Sequence, residues 1–291
     1  MVDVFAEEKY QGNQLAVFIT EDEPSDTESL SDAEMQKIAR ETNFAETSFI
    51  LSKGKVNGGY DIRIFTPDFE VPFAGHPSLG TAFIIRNEIE KENSESVTLN
   101  LKVGQIPVTF GESGYLWMKQ KTPGFKSRFN PDTLAEILGI TNSDIDKRFP
   151  IQEVSTGLGS IIVPLNSLDA VKRCHISHDR YRRFLKEEHN SILLVFTDQT
   201  YHSANDLNVR VFANDTGYPE DAATGSANGN LAAYLLEYDY FSHCSLKYKV
   251  EQGYEMGRPS LLQVKAEKSG SQFDINVGGK VILTARGEWL R

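Results

Sequence analysis

The chain has 291 residues, of which 40% are hydrophobic and 24% charged, a balance that fits a globular protein of one large or two ordinary domains. A formal net charge of -11 argues against a nucleic-acid or anionic-membrane surface, since both need clustered cations. No run reaches the ~18 apolar residues of a membrane span, and no basic stretch followed by an apolar one opens the sequence, so no signal peptide is expected. Val2 to Phe5 reads as a strand, followed by a turn at Gly12-Asn13 and a second strand, Leu15 to Ile19. Residues 21–30 are acidic and polar, as in a solvated loop. Ser31-Asp32 with Glu34 opens a helix carried by Met35, Ile38 and Ala39, and it closes near Thr42-Asn43. Strands are expected at Thr47–Leu51 and Tyr60–Phe65, then a helix over 76–87, then strands at Val97–Val103, Ile106–Phe110 and Tyr115–Lys119.

Residues 121–150 read as connector with one short helix, Pro131 to Leu138. Strands follow at Ile151–Thr156 and Ser160–Pro164, a helix at His178–Glu188, and strands at Ser191–Thr197 and Leu207–Phe212. The basic run Arg180-Tyr181-Arg182-Arg183 sits beside Glu187 and Glu188, as a solvated helix face would. Ala227 to Tyr238 is a second apolar helix, and strands at Leu246–Val250, Leu261–Lys265, Phe273–Val277 and Val281–Ala285 finish the pattern. Cys174 and Cys244 have no zinc-ligand spacing, so reduced thiols, no metal and a cytoplasmic location are expected.

The order of elements repeats. Arg63-Ile-Phe65-x-x-Asp68 recurs as Arg210-Val-Phe212-x-x-Asp215, Pro72 aligns with Pro219, and Gly75-His76 falls on Gly225-Ser226 after three extra residues. Both helices that follow lack a polar face, so each must be buried all round. An α+β fold is expected: two similar halves, 1–122 and 123–291, each a curled, mostly antiparallel sheet around a central helix. The last strand is free to pair back with the first half, and the active site is expected in the cleft between halves. Pro77 suits a first helical position, which would make His76 the N-cap.

Three clusters carry candidate chemistry. A lone histidine is more often structural, but His76 at a Gly-flanked helix start, matched by Ser226, favours function. Glu46, in Asn43-Phe44-Ala45-Glu46-Thr47-Ser48-Phe49, is either a surface glutamate or an acid/base carboxyl with Phe44 and Phe49 buried beside it. Glu220-Asp221-Ala222-Ala223-Thr224-Gly225-Ser226 places acidic side chains ahead of a helix start shaped for an anion. No phosphate-loop or dinucleotide fingerprint occurs.

Asp3-Val4-Phe5, Gly12-Asn13-Gln14-Leu15-Ala16-Val17-Phe18, Asn43–Thr47, Pro72–Pro77, Glu220–Ala227 and Gln252-Gly253 with Gly257-Arg258-Pro259-Ser260 together resemble the PhzF (phenazine biosynthesis-like) family over essentially the whole chain. The resemblance implies a diaminopimelate-epimerase-like fold, cofactor-free proton transfer and a homodimer. By motif it implies that Glu46 is the acid/base carboxylate, that His76 and Asp221 act with it, and that Gly75, Ser78, Thr224, Gly225 and Ser226 bind substrate. Related epimerases use two opposed cysteines; here the helix starts carry His76 and Ser226, and Gly-His-Pro-Ser stands in place of the Gly-His-Ala-Thr of the phenazine enzyme. The expected function is an isomerase that moves a proton within a small carboxylic acid. An amino-acid racemase or epimerase, and a catalytically silent binding protein of the same fold, are the alternatives.

Overall fold

The computed structural model describes residues 1–20, 30–186, 191–213 and 219–290. Most of the predicted loop at 21–30, together with Glu187, Glu188 and Asp215, lies outside the described residues.

In chain order the elements begin β1 (Val2–Val4), β2 (Asn13–Ile19), α1 (Asp32–Thr42), β3 (Glu46–Ile50), β4 (Tyr60–Phe65), β5 (Glu70–Val71) and α2 (Gly75–Ile84). They continue β6 (Ser96–Leu101), β7 (Gly104–Phe110), β8 (Leu116–Lys119), β9 (Gly124–Arg128), α3 (Pro131–Leu138), β10 (Gln152–Ser155) and β11 (Gly159–Pro164). Then come α4 (Leu168–Arg173), α5 (His178–Lys186), β12 (Ile192–Thr197), β13 (Leu207–Phe212) and α6 (Gly225–Glu237). β14 (Ser245–Gln252), β15 (Ser260–Ser269), β16 (Gln272–Gly279) and β17 (Val281–Leu283) complete them. The fold is α+β, with mixed sheet pairing and few helices. Among the described residues no helix is long and apolar enough to cross a membrane.

The chain divides into two compact units, Met1–Met118 with Gly278–Arg291, and Lys119–Val277. The sequence reading draws one boundary at 122; the contacts put it at 118 and return the last residues to the first unit. In that unit β17 pairs antiparallel with β1, matching Val2 to Leu283. β1 pairs antiparallel with β2, β2 runs parallel to β3, β3 antiparallel to β4, β4 parallel to β6, and β6 antiparallel to β7. α2 packs against β1, β2, β3, β6, β7 and β17. Its apolar composition is a direct consequence: strands meet it on most sides, and Leu79, Ala82 and Ile84 are buried. The approach to β2 is close enough that a Cβ on Gly80 would lie 2.6 Å from Leu15. α1 covers the outer side of β3 and β4 through Met35, Ala39, Phe49 and Phe65.

In the second unit β10 pairs antiparallel with β11, β11 parallel with β12, β12 antiparallel with β13, β13 parallel with β14, and β14 antiparallel with β15. α6 packs against β10, β11 and β15. A separate apolar cluster joins Leu134, Ile137 and Leu138 of α3 and Tyr181 of α5 to Ile161, Val163, Leu193 and Val195. Every residue of β11 and of β13 is therefore buried, as expected for strands covered on both faces.

Three elements were not expected. β5 lies between the strand and the helix expected at Tyr60–Phe65 and 76–87, β9 in the stretch read as connector, and α4 between a predicted strand and a predicted helix. The predicted helix over 76–87 is an α-helix only to Ile84, after which residues Ile85–Glu90 wind as a π-helix. Its start also differs. Ala74 is the N-cap, so His76 is the second helical residue and Pro77 the third. Proline is tolerated there because the first helical N–H groups have no intrahelical acceptor in any case. α6, expected from Ala227, starts at Gly225 with Thr224 as its N-cap.

Candidate active site

Two parallel strands set the first cluster. Gly12 has φ +68°, and a Cβ there would sit 2.3 Å from the Val4 carbonyl, so glycine is needed for the turn. The turn delivers Asn13 as the first residue of β2, opposite Val4. Two residues on, Leu15 pairs with Glu46, the first residue of β3. α2 starts beside them and contributes His76. The result is that Asn13 Nδ2 lies 3.3 Å from His76 Nδ1, and His76 Nε2 lies 3.6 Å from Glu46 Oε2.

The environment of the pair is asymmetric. The His76 side chain is 5% exposed and that of Glu46 is 21% exposed. Burial pushes the imidazole down to about 3, with the Gln14 backbone working more weakly in the opposite sense. The ring is therefore neutral at physiological pH. His76 Nε2 is buried and has no hydrogen-bond partner, while Glu46 keeps a path to solvent. Of the two phenylalanines expected to enclose Glu46, only Phe49 is buried; Phe44 is half-buried.

The second cluster lies in the loop from Asp221 to the start of α6. Asp221 N–H donates to the Val211 carbonyl at 2.9 Å, which ties the loop to β13. Thr224 Oγ1 donates to Asp221 Oδ2 at 2.6 Å. Gln252, fully buried at the end of β14, joins the pieces. Its Nε2 donates to the Asp221 carbonyl at 2.9 Å and to Thr224 Oγ1 at 3.0 Å. Its Oε1 accepts from Thr224 N at 3.2 Å and from Asn228 Nδ2 at 3.0 Å. The next residue, Gly253, has φ +78°, and a Cβ there would meet the Arg258 carbonyl at 2.4 Å and the Ala222 carbonyl at 2.6 Å.

The starts of α2 and α6 share features that α1, α3 and α4 lack. Ser31, Asn130 and Ser167 cap those three helices through their side chains, and acidic residues sit in the first turns. α2 and α6 have neither a side-chain cap bond nor a first-turn acid. No N-cap side chain and no first-turn acid thus competes at these positive dipole ends, a setting that suits an anion. Gly75 and Gly225 are the first helical residues. Ser226 is half-buried in the first turn of α6. Ser78, expected to bind substrate, is instead fully buried and donates its hydroxyl to the Ala74 carbonyl at 2.8 Å.

An arginine clamp precedes each helix. Arg63 Nε and Nη2 hold the two oxygens of Glu70 at 2.9 and 2.7 Å. Arg210 holds Glu220 in the same way, at 2.8 Å for both contacts. Each guanidinium also covers the ring two residues on, Phe65 at 5.1 Å and Phe212 at 4.8 Å. Glu220 is therefore a structural partner of Arg210, and it corresponds to Glu70. The three extra residues of the second copy fall before Glu220, so Pro72 and Pro219 are not equivalent. Asn13 and Gln252 are the side chains that motif reading passed over; the glycine beside each, in Gly12-Asn13 and Gln252-Gly253, was the available signal. Cys174 and Cys244 are unpaired, and burial pushes the Cys174 thiol up to about 12. Among the described residues no group of His, Cys, Asp and Glu is arranged to hold a metal ion.

Residues 2–287 match the family model for phenazine biosynthesis-like proteins, PhzC-PhzF. The trans-2,3-dihydro-3-hydroxyanthranilate isomerase of Pseudomonas aeruginosa is 33% identical over 292 residues, covering 99% of this chain and 97% of that one. An uncharacterized isomerase of Pasteurella multocida is also 33% identical, over 296 residues, covering 99% of this chain and 92% of that one. Among solved structures, the PhzF-family phenazine biosynthesis protein of Bacillus anthracis superposes with a TM-score of 0.85 at 29% identity, covering 97% and 94% of the two chains. The chain belongs to the phenazine biosynthesis-like (PhzF) family and, with these relatives, is an isomerase.

Proposed function

We propose that this isomerase moves a proton within a small carboxylic acid by general acid/base catalysis at Glu46, without a cofactor. The observation that carries the reading is the Glu46–His76 pair: a carboxylate with solvent access faces an imidazole held neutral by burial. One strong base on one face suits abstraction of an acidified C–H proton and its return to another atom of the same substrate. His76 donates a hydrogen bond to the substrate or to Glu46, and Asp221 holds a substrate amine or hydroxyl. The starts of α2 and α6, which carry no side-chain cap bond, take the carboxylate and the charge that develops in the transition state.

Two similar halves serving one substrate, a cytoplasmic location and a homodimer belong to the same proposal, and they rest on the sequence repeat and the family resemblance. A two-thiol racemase is disfavoured, because Cys174 is buried and its thiol stays protonated. The relative's substrate, trans-2,3-dihydro-3-hydroxyanthranilate, is the first compound to test, followed by related amino and hydroxy carboxylic acids. Turnover in D₂O with deuterium entering the product, and a fall in kcat of roughly 10²–10⁴ in Glu46→Gln, are expected. Near-normal turnover of Glu46→Gln would remove Glu46 from the mechanism. Binding of these acids without deuterium exchange would favour a silent binding protein.

A further inference from the structure

We propose that Asn13 is a positioning residue that fixes His76 as the Nε2–H tautomer, so that the imidazole meets Glu46 as a hydrogen-bond donor and not as a second base. The inference rests on the proton-transfer reading above and assigns the protonation of its two central groups.

The argument is one of donors and acceptors. An asparagine amide nitrogen only donates, so Nδ2 at 3.3 Å from His76 Nδ1 requires a lone pair on Nδ1. A neutral imidazole with a lone pair on Nδ1 carries its proton on Nε2. That atom is buried, lacks a hydrogen-bond partner, and has Glu46 Oε2 3.6 Å away. The opposite tautomer would set an N–H against the Asn13 amide N–H and a lone pair against a carboxylate, two repulsive contacts; the Gln14 backbone, which favours a ring N–H, acts more weakly than burial. Asn13 is itself held. It is 5% exposed, it follows a glycine that no other residue can replace without a clash, and it is in register with Val4. The strand that carries Asn13 also pairs with the strand that carries Glu46. One piece of sheet therefore sets both the tautomer of the histidine and the position of the carboxylate it faces. With Nε2 as the donor, a reactant drawn to Glu46 finds one base and one hydrogen-bond donor side by side, which favours same-face proton return over abstraction by two bases.

The test is a long-range ¹H–¹⁵N correlation spectrum of the full-length protein labelled with ¹⁵N-histidine, at pH 7, without ligand. His76 is assigned by its absence from the spectrum of His76→Gln. The expected wild-type pattern is a neutral ring with an unprotonated Nδ1 and a protonated Nε2. In Asn13→Asp the new carboxylate accepts from Nδ1, so the pattern should invert, and kcat should fall by about 10²-fold with KM little changed, as when one positioned donor is lost. A proton on Nδ1 in the wild type, a charged ring, or an unchanged spectrum in Asn13→Asp each overturns the proposal. The wild-type spectrum decides even if the variant does not fold. Because the spectrum needs no substrate, the expected tautomer in a protein without isomerase activity would count against the proton-transfer reading alone. Activity with the other tautomer would count against this inference alone.

Discussion

His76 Nε2 stands 3.6 Å from Glu46 Oε2, just beyond hydrogen-bond length, in a pair where only the carboxylate reaches solvent. A modest approach by either group closes that gap, and a substrate atom placed between them can bond to both. Since burial holds His76 near 3, its titration lies far below the working range of the enzyme. The pH profile of kcat/KM between pH 5 and 8 should therefore carry no histidine limb from His76. A His76→Gln variant should keep the shape of the wild-type profile while losing rate. A limb near pH 6.5 that disappears in His76→Gln would contradict the neutral-ring assignment.

The same shift has a consequence for stability. The folded-state value, about 3, lies below the ordinary histidine value of 6.5, so protonation favours the unfolded chain. The contribution of His76 is fully present above pH 6.5 and is lost as pH falls from 6.5 towards 3, at roughly 1.4 kcal/mol per pH unit. Urea unfolding at pH 7 and pH 5 should show wild type losing about 2 kcal/mol more than His76→Gln over that interval.

The two arginine clamps predict unequal costs. Arg210 is buried more deeply than Arg63, and its Nη1 also donates to the carbonyls of Val171 and Cys174 at 3.0 and 2.8 Å. Arg210→Met leaves Glu220 and those carbonyls without their partner, and should destabilise by about 3–5 kcal/mol in denaturant titration. Arg63→Met, nearer the surface, should cost clearly less. Equal losses would show that the clamp itself, and not the backbone it also holds, dominates.

Gln252 should matter for binding more than for chemistry. Gln252→Leu keeps the approximate size but leaves Thr224 N–H without its acceptor and removes one of the two acceptors of Asn228 Nδ2. A loss of roughly 2–4 kcal/mol in stability is expected. The start of α6 should loosen with it, raising KM for a carboxylate substrate by about tenfold, equivalent to 1.4 kcal/mol, with kcat changed less. An unchanged KM would detach this network from the site.

Legibility in the sequence followed the range of the forces involved. α1 could be read from its own residues, because Ser31 and Glu34 form a capping box and Asn43 closes the helix in the left-handed conformation. α3 was framed in the same local way, by Asn130, Pro131 and Gly139. β9 was missed because four of its five residues are exposed, so it has no apolar alternation to see. α4 has only six residues and buries Ala170 and Val171, too short for a helical period. The starts of α2 and α6 lie one and two residues before the expected ones; at α2, a proline in the first turn imitates a first-position signal. At the site, His76 stands out by its Gly-flanked helix start and Glu46 by its apolar flanks, and the family resemblance gives them their roles. Their meeting with Asn13 was not, since it depends on strand register between segments far apart in the chain.

The pairing of β17 with β1 has a bearing on biogenesis. β1 leaves the ribosome first, yet its neighbour on one side is made only after the whole of the second unit. At 5–20 residues per second that delay is about 15–60 s. The second unit is continuous in sequence and can close as it emerges, while the first waits with one strand edge open. A nascent chain stalled before Val281 would therefore carry a finished second unit and a first unit whose β1 edge is still unsealed.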